Sequence, residues 1–174
     1  MAVIGVCDCG ENRDVMRAWE SFLIEVEHSH VLRSALAVHC IAISTAGVPQ
    51  DLSAEEWGRV LHTISGEDDA AVSQQLCGVL QKVAGDVLRG LEQLIVNCES
   101  QASILITPND GGDARDPKLR LKRGPGRVCK RQADLCLLAG CSQDALLRYR
   151  MAVELARSNN DALWLAAAMQ GQCQ

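Results

Sequence analysis

Nine cysteines and four histidines are the side chains of this 174-residue chain with the most chemistry to offer. Thiolates attack electrophiles and bind soft metals, and imidazoles move protons or complete a metal site. Spacing decides between these uses and plain packing. Cys7 and Cys9, in "VCDCGENRD", stand two apart after an apolar run, so on a strand they share a face. They form no CxxC and belong to no larger ligand set, so the pair reads as structural, and without GxGxxG or a Walker lysine the stretch is a weak phosphate site. His28 and His30 in "EHSH" would point ~200° apart on a helix, useless for one metal, and read as a polar helix end. His39, beside Cys40 in a second apolar run, reads as a buried, hydrogen-bonded histidine. Cys129 and Cys136, seven apart, share a helix face with Ala133, and Cys141 lies past a break at Gly140. No CxxC pairs with another at zinc spacing, so these thiols read as small apolar side chains. Asp68 and Asp69 suit a helix N-terminus better than acid–base work. Nowhere do nucleophile, base and oxyanion donors assemble, so no catalytic residue, metal or cofactor is assigned.

The elements that must position these residues differ between the two halves of the chain. "AVIGVCDC" is a short β-branched run ending at Gly10. Asn12 or Asp14 can cap a helix in which Val15, Trp19, Phe22, Leu23 and Val26 recur at helical spacing. "ALAVHCIAIS", stopped by Gly47 and Pro49, completes a strand–helix–strand unit. After Glu67, Asp68 and Asp69, a long amphipathic helix is expected from the stripe Val72, Leu76, Val79, Leu80, Val83, Val87, Leu91, Leu94 and Ile95. "ASILITP" reads as a third strand closed by Pro108. Residues 1–108 are therefore read as a partial α/β domain.

"NDGGDARDPKLRLKRGP", residues 109–125, is rich in Gly, Pro and charge, and reads as a linker or long basic loop. Beyond it the period is helical. Gly140 ends one helix, Ser142 caps the next, and Asn160 or Asp161 caps a third. Ala133, Ala145 and Ala152, with Tyr149 between the last two, are the small positions a tetratricopeptide-type helix pair needs, and Ala166, Ala167 and Ala168 repeat the small face. Residues 126–174 are read as such a hairpin with the start of a further repeat. The expected class is α+β/α-helical: a partial α/β domain, then the beginning of an α-solenoid.

Composition narrows the function. Hydrophobic residues are 48%, charged residues 22% and aromatics 3%, ordinary for a globular chain except for a core that must rest on aliphatic residues. No apolar run approaches the ~20 residues a membrane-spanning helix needs. The opening "MAVIGVCDCG" has no basic n-region and no h-region, and an odd count of scattered cysteines fits reduced thiols, so a cytoplasmic setting is expected. A net charge of −5 argues against nucleic acid. Eight of the 17 Lys and Arg nevertheless fall between Arg115 and Arg131 beside a single acid, Asp116. A solvated loop explains that run; an acidic partner or an anionic membrane would also suit it, through Lys118, Arg120, Lys122, Arg123, Arg127, Lys130 and Arg131. Without aromatics to stack on bases it is a poor nucleic-acid surface.

The stretch from Gly126 carries a resemblance as well. In "GRVCKRQADLCLLAGCSQDALLRYRMAVELARSNNDALWLAAAMQG", the ungapped succession "GR", "DLCL", "AG", "QD", "VEL", "RS", "ND", "LWL" resembles the start of the helical array in the trafficking protein particle (TRAPP) complex subunit 9 family, also called the NIK- and IKK-binding protein family. "AVIGVCDC", "AWESFLIEVEHS" and "LAVHCIA" resemble its preceding α/β segment more loosely. Residues from Val48 to about Asp69 find no counterpart. Family members are far longer, with further helical repeats and β-sandwich domains, so the resemblance implies an internal piece of such a protein. It implies a non-catalytic scaffold in a TRAPP II-type tethering complex at the Golgi. Its partners would be other TRAPP subunits and, through the complex, a Rab-family GTPase. A generic tetratricopeptide-like adaptor is the alternative, against which the polar identities in "VELARSNNDALWL" argue; a small thiol enzyme using Cys7 or Cys9 is a third.

Overall fold

In the computed structural model the described residues are 2–8, 15–30, 32, 35–44, 55–56, 59–66, 68–98, 105–107, 110 and 116–173. In chain order the elements are β1 (Ala2–Asp8), α1 (Val15–His28), β2 (Ala37–Ser44), β3 (Glu55–Glu56), β4 (Arg59–Ser65), α2 (Asp69–Asn97), α3 (Pro117–Leu138), α4 (Ser142–Ser158) and α5 (Ala162–Gln172). Five helices and a small sheet make the described chain mostly helical. It divides into two compact units, Met1–Gly90 and Leu91–Gln174.

In the first unit the strand order is β1-β2-β4-β3. β1, β2 and β4 run parallel, with Gly5 paired to Cys40 and Cys40 to Leu61, while the two-residue β3 pairs antiparallel to β4. The β1–α1–β2 crossover is the strand–helix–strand unit expected from the sequence. Its apolar helix stripe meets one face of the sheet: Val15 and Trp19 are buried with Cys40, Ala42 and Leu61, and Met16, Phe22, Leu23 and Cys7 pack around them. Strands covered on both faces read as continuous apolar runs, which explains the fully buried Ala37–Ala42 stretch. α2 begins at Asp69, beside the expected acids, and Asp68 Oδ1 accepts from the Ala70 amide. Of its expected stripe Val83 and Leu91 are buried, but Leu80 is 47% exposed.

Two expectations are corrected, the third strand and the linker. The third parallel strand is β4, "RVLHTIS", inside the stretch that the resemblance left without a counterpart. The expected strand at "ASILITP" is not one over residues 105–107, which lie in no regular element; its other residues fall outside those described. Residues 117–125, expected as linker, are the first turns of α3. Asp116 explains the start: its side chain accepts from the Lys118 amide, and Pro117 then occupies a first-turn position where a missing N–H costs nothing. Pro125 removes one helical bond, the one to the Leu121 carbonyl, on a turn where both residues are exposed to water. The proposed caps Asn12 and Asp14, the stops at Gly10, Gly47 and Pro49, and Cys9 lie outside the described residues.

In the second unit α3, α4 and α5 follow the end of α2 and are joined by two turns of one kind. After α3, the Cys141 amide donates to the Cys136 carbonyl (2.9 Å) and the Gly140 amide to Leu137 (3.0 Å), with Gly140 at φ 79°. After α4, Asp161 donates to Ala156 (2.9 Å) and Asn160 to Arg157 (3.3 Å), with Asn160 at φ 52°. Both are Schellman turns, whose left-handed residue glycine and asparagine tolerate. The tightness of the first turn places Cys141, not the expected Ser142, at the N-cap of α4. Small residues line the helix contacts: Ala133, Ala145, Ala152, Ala156 and Ala168 are at most 4% exposed. Where even a methyl group would crowd, the residue is glycine; a Cβ on Gly126 would lie 3.1 Å from Leu155 Cβ, and one on Gly171 only 2.3 Å from the Tyr149 ring.

Candidate functional site

α3 turns the basic run into a distribution around a cylinder. At 100° per residue Lys118 and Lys122 share one side, whereas Arg120, Arg123, Arg127 and Arg131 spread over the other. Lys118 and Lys122 are exposed; Arg120, Arg123, Lys130 and Arg131 are half-buried. Arg123 Nη2 donates to the Asn160 carbonyl (3.2 Å), and Lys130 Nζ to Asp134 Oδ2 (2.7 Å).

Arg127 departs from the expected contact surface altogether. It is 5% exposed, and each of its five N–H donors is engaged. Nε donates to Asp161 Oδ2 (2.7 Å) and Nη2 to Asp161 Oδ1 (3.2 Å). Nη1 donates to the Leu105 carbonyl (2.6 Å) and to Asp110 Oδ2 (2.8 Å), and Nη2 also donates to Asp110 Oδ1. Asp110 is held in turn by the Thr107 amide (2.6 Å) and hydroxyl (2.9 Å), and the guanidinium lies 5.3 Å from the centre of the Trp164 ring. The bidentate arginine holds the Asp110 carboxyl well below the usual carboxylate range, and the same hydrogen bonds keep Arg127 charged. Asp161 opens α5 yet makes no side-chain cap bond, because its carboxylate is spent on Arg127. Arg127 is thus a clamp joining Leu105 and Asp110, α3 and the α4–α5 turn. Nothing in the sequence separates it from its basic neighbours; Asp110 and Asp161 lie 17 and 34 residues away.

A second polar set lies further along α3. Gln132, 4% exposed, donates to the Ile95 carbonyl (3.1 Å) and accepts from Arg148. The Tyr149 hydroxyl donates to Asp134 Oδ1 (2.7 Å), and burial together with that carboxylate raises the phenol's proton affinity. These groups satisfy one another, as buried polar groups must.

Of the three thiols expected as packing, Cys129 and Cys136 are placed so and Cys141 is not, because it sits on the solvent side of the α3–α4 turn. Cys136 lies in the cluster of Ala133, Ala145 and Tyr149, Cys129 against Ala152, Val153 and Ala168, and Cys141 is exposed at the turn. Burial pushes the Cys40 thiol up to about 11, with Cys7 nearby adding to it, and raises Cys98 and Cys136 in the same direction. Among the described residues no group of three His, Cys, Asp or Glu could hold a metal ion, and no helix is long and apolar enough to cross a membrane. His28 ends α1 with Nδ1 2.7 Å from the Ile24 carbonyl. His39 is fully buried, as expected, but its partner is one the sequence reading missed: His62 on β4, with ring nitrogens 3.0 Å apart and rings stacked.

Residues 109–173, the span of the clamp's last two partners and all three helices α3–α5, match the family described as Trs120/TRAPPC9, N-terminal domain. The chain is 32% identical over 174 residues to the trafficking protein particle complex II-specific subunit 120 homolog of Arabidopsis thaliana, an alignment covering 98% of this chain and 14% of that protein. The corresponding Oryza sativa subsp. japonica protein is 30% identical over 175 residues, with the same coverage. A 52-residue stretch, 30% of the chain, is 58% identical to trafficking protein particle complex subunit 9 of Homo sapiens and covers 4% of it. The chain therefore spans about a seventh of the plant relatives' length. The resemblance to the subunit 9 family drawn from the sequence holds, and the plant alignments carry it through the α/β half.

Proposed function

We propose, from this chain's kinship with the Trs120/TRAPPC9 family, that it serves as a non-catalytic scaffold segment of a TRAPP II-type vesicle-tethering complex. The observation that carries this reading is the coincidence of the family match, residues 109–173, with the α3–α5 unit and its clamp. A segment shared at that level and held by packing and internal ion pairs suits protein–protein assembly rather than turnover. The relatives' names as complex subunits support the same choice. On this reading α3–α5 begin a tetratricopeptide-like array, the chain's partners are other TRAPP subunits, and it supports Rab GTPase activation on Golgi membranes from the cytoplasmic side without performing nucleotide exchange. Lys118, Arg120, Lys122, Arg123, Lys130 and Arg131 remain the candidate contacts for an acidic partner or anionic membrane, Lys118 and Lys122 being the exposed members.

The test is a native pull-down of the endogenous protein with mass spectrometry of what it retains. Recovery of TRAPP core subunits at stoichiometric levels is expected. Intact bait without any of them would overturn the assignment in favour of a generic helical adaptor. Within a recovered complex, Lys118→Glu with Lys122→Glu should weaken binding to anionic vesicles or to an acidic subunit; unchanged binding of both would remove the basic contact.

A further inference from the structure

The opposite face of the sheet from α1 carries a group that scaffolding does not use. His39 on β2 has no accessible surface, its Nδ1 is 3.0 Å from His62 Nε2, and its Nε2 makes no hydrogen bond, the Asp86 Oδ2 atom of α2 standing 3.5 Å away. Only one proton can lie between the two facing ring nitrogens, so the second imidazolium is incompatible with this geometry. The surrounding charge adds to the constraint. From α2, Lys82 acts on His39 as a cation, and Asp86 acts on it as an anion but is already paired with Arg89 at 2.7 Å. From β4 comes His62 itself, and the β1 residue in register with His39 is the apolar Ile4. Burial, the largest influence, and Lys82 both lower the proton affinity of His39, while Asp86 raises it.

We propose that the His39–His62 pair is a proton-operated catch on α2: the helix stays docked on β2 and β4 only while at least one of the two rings is neutral, and acid releases it. The open segment binds one proton more than the docked one below pH ~6.5, the ordinary imidazole value. Linkage then raises the population of the open form about tenfold per pH unit. Stability from this contact is fully present above pH ~6.5 and is lost as pH falls below it, the sign for a histidine whose folded affinity is depressed.

The experiment is amide hydrogen exchange on the whole chain from pH 7.5 to 5, corrected for intrinsic rates. Protection from Val79 to Gly90 of α2 should fall about tenfold per unit below pH ~6.5, while α3–α5 in the same molecule stay flat. His39→Gln with His62→Gln should abolish the slope. A flat wild-type profile, or a slope surviving in the double variant, overturns the catch. Should the double variant not fold, imidazole NMR of the wild type decides: one ring resisting protonation to well below pH 6 supports the catch, and two rings titrating independently near pH 6.5 overturn it.

Discussion

Replacing Arg127 with methionine isolates what the clamp does, because methionine keeps much of the side chain's length and none of its donors. Asp110 and Asp161, with side chains 9% and 6% exposed, would then face each other across the site with no cation between them. Removing one partner of a buried ion pair costs roughly 3–5 kcal/mol, most of it the uncompensated charge left behind. Two carboxylates sharing a site answer by raising one affinity for protons. The loss at pH 7 should therefore shrink on acidification, as one carboxyl protonates and donates to the other. The wild type behaves in the opposite sense. Its Asp110 is depressed, so the clamp's contribution is intact above pH ~4, the ordinary carboxylate range, and fades below it. Native-state hydrogen exchange across α3–α5 at pH 7 and pH 4.5 measures the variant's recovery, and a further point near pH ~3, below the ordinary carboxylate range, measures the wild-type fading. A variant within ~0.5 kcal/mol of wild type at pH 7 would place it among neutral surface changes and refute the clamp, and so would a loss that does not diminish at pH 4.5.

Two further outcomes test the packing. Gly171→Ala puts a methyl group 2.3 Å from Tyr149 Cε1, on a ring whose hydroxyl is tied to Asp134. Overpacking of this kind costs about 1–3 kcal/mol; thermal unfolding should report it, and Tyr149→Ala in the same chain should make the pair less than additive. Alkylation of the native protein at neutral pH should consume the exposed Cys77, Cys141 and Cys173 first and leave Cys40, Cys98 and Cys136 until last. Fast modification of Cys40 would contradict its burial.

The strand–helix–strand opening, the start of α2 and the Gly140 turn were legible because each rests on local signals: apolar period, acids at a helix start, a left-handed glycine. The misreadings share a different cause. "GPG" at residues 124–126 has the composition of a turn, yet Gly126 is needed for close approach to Leu155 and Pro125 falls on a solvent-facing turn of α3. Tertiary packing overrode propensity there. β4 carries no local signal of that strength: its flanks are rich in Gly, Pro, Asp and Ser, and what defines it is its pairing with β2. Arg127 could not be told from Lys122 or Arg123, since what distinguishes it is the pair of aspartates folded against it from 17 and 34 residues away. His62 eluded the reading for the same reason: its partner lies one strand over, 23 residues earlier.

The two Schellman turns have a consequence for how this unit can vary. Each uses three residues, 139–141 and 159–161, and each is bonded across its whole length, so neither holds slack. An extra residue in α4 could not bulge into a connection; it would rotate everything beyond it by about 100°. Either Tyr149 would lose Gly171, or Asp161 would swing away from Arg127. Relatives of this segment should differ freely in side chains on the outer surface while keeping the interval between Gly140 and Asn160 constant, so that the helix works as a ruler, and length changes should collect ahead of Asp116.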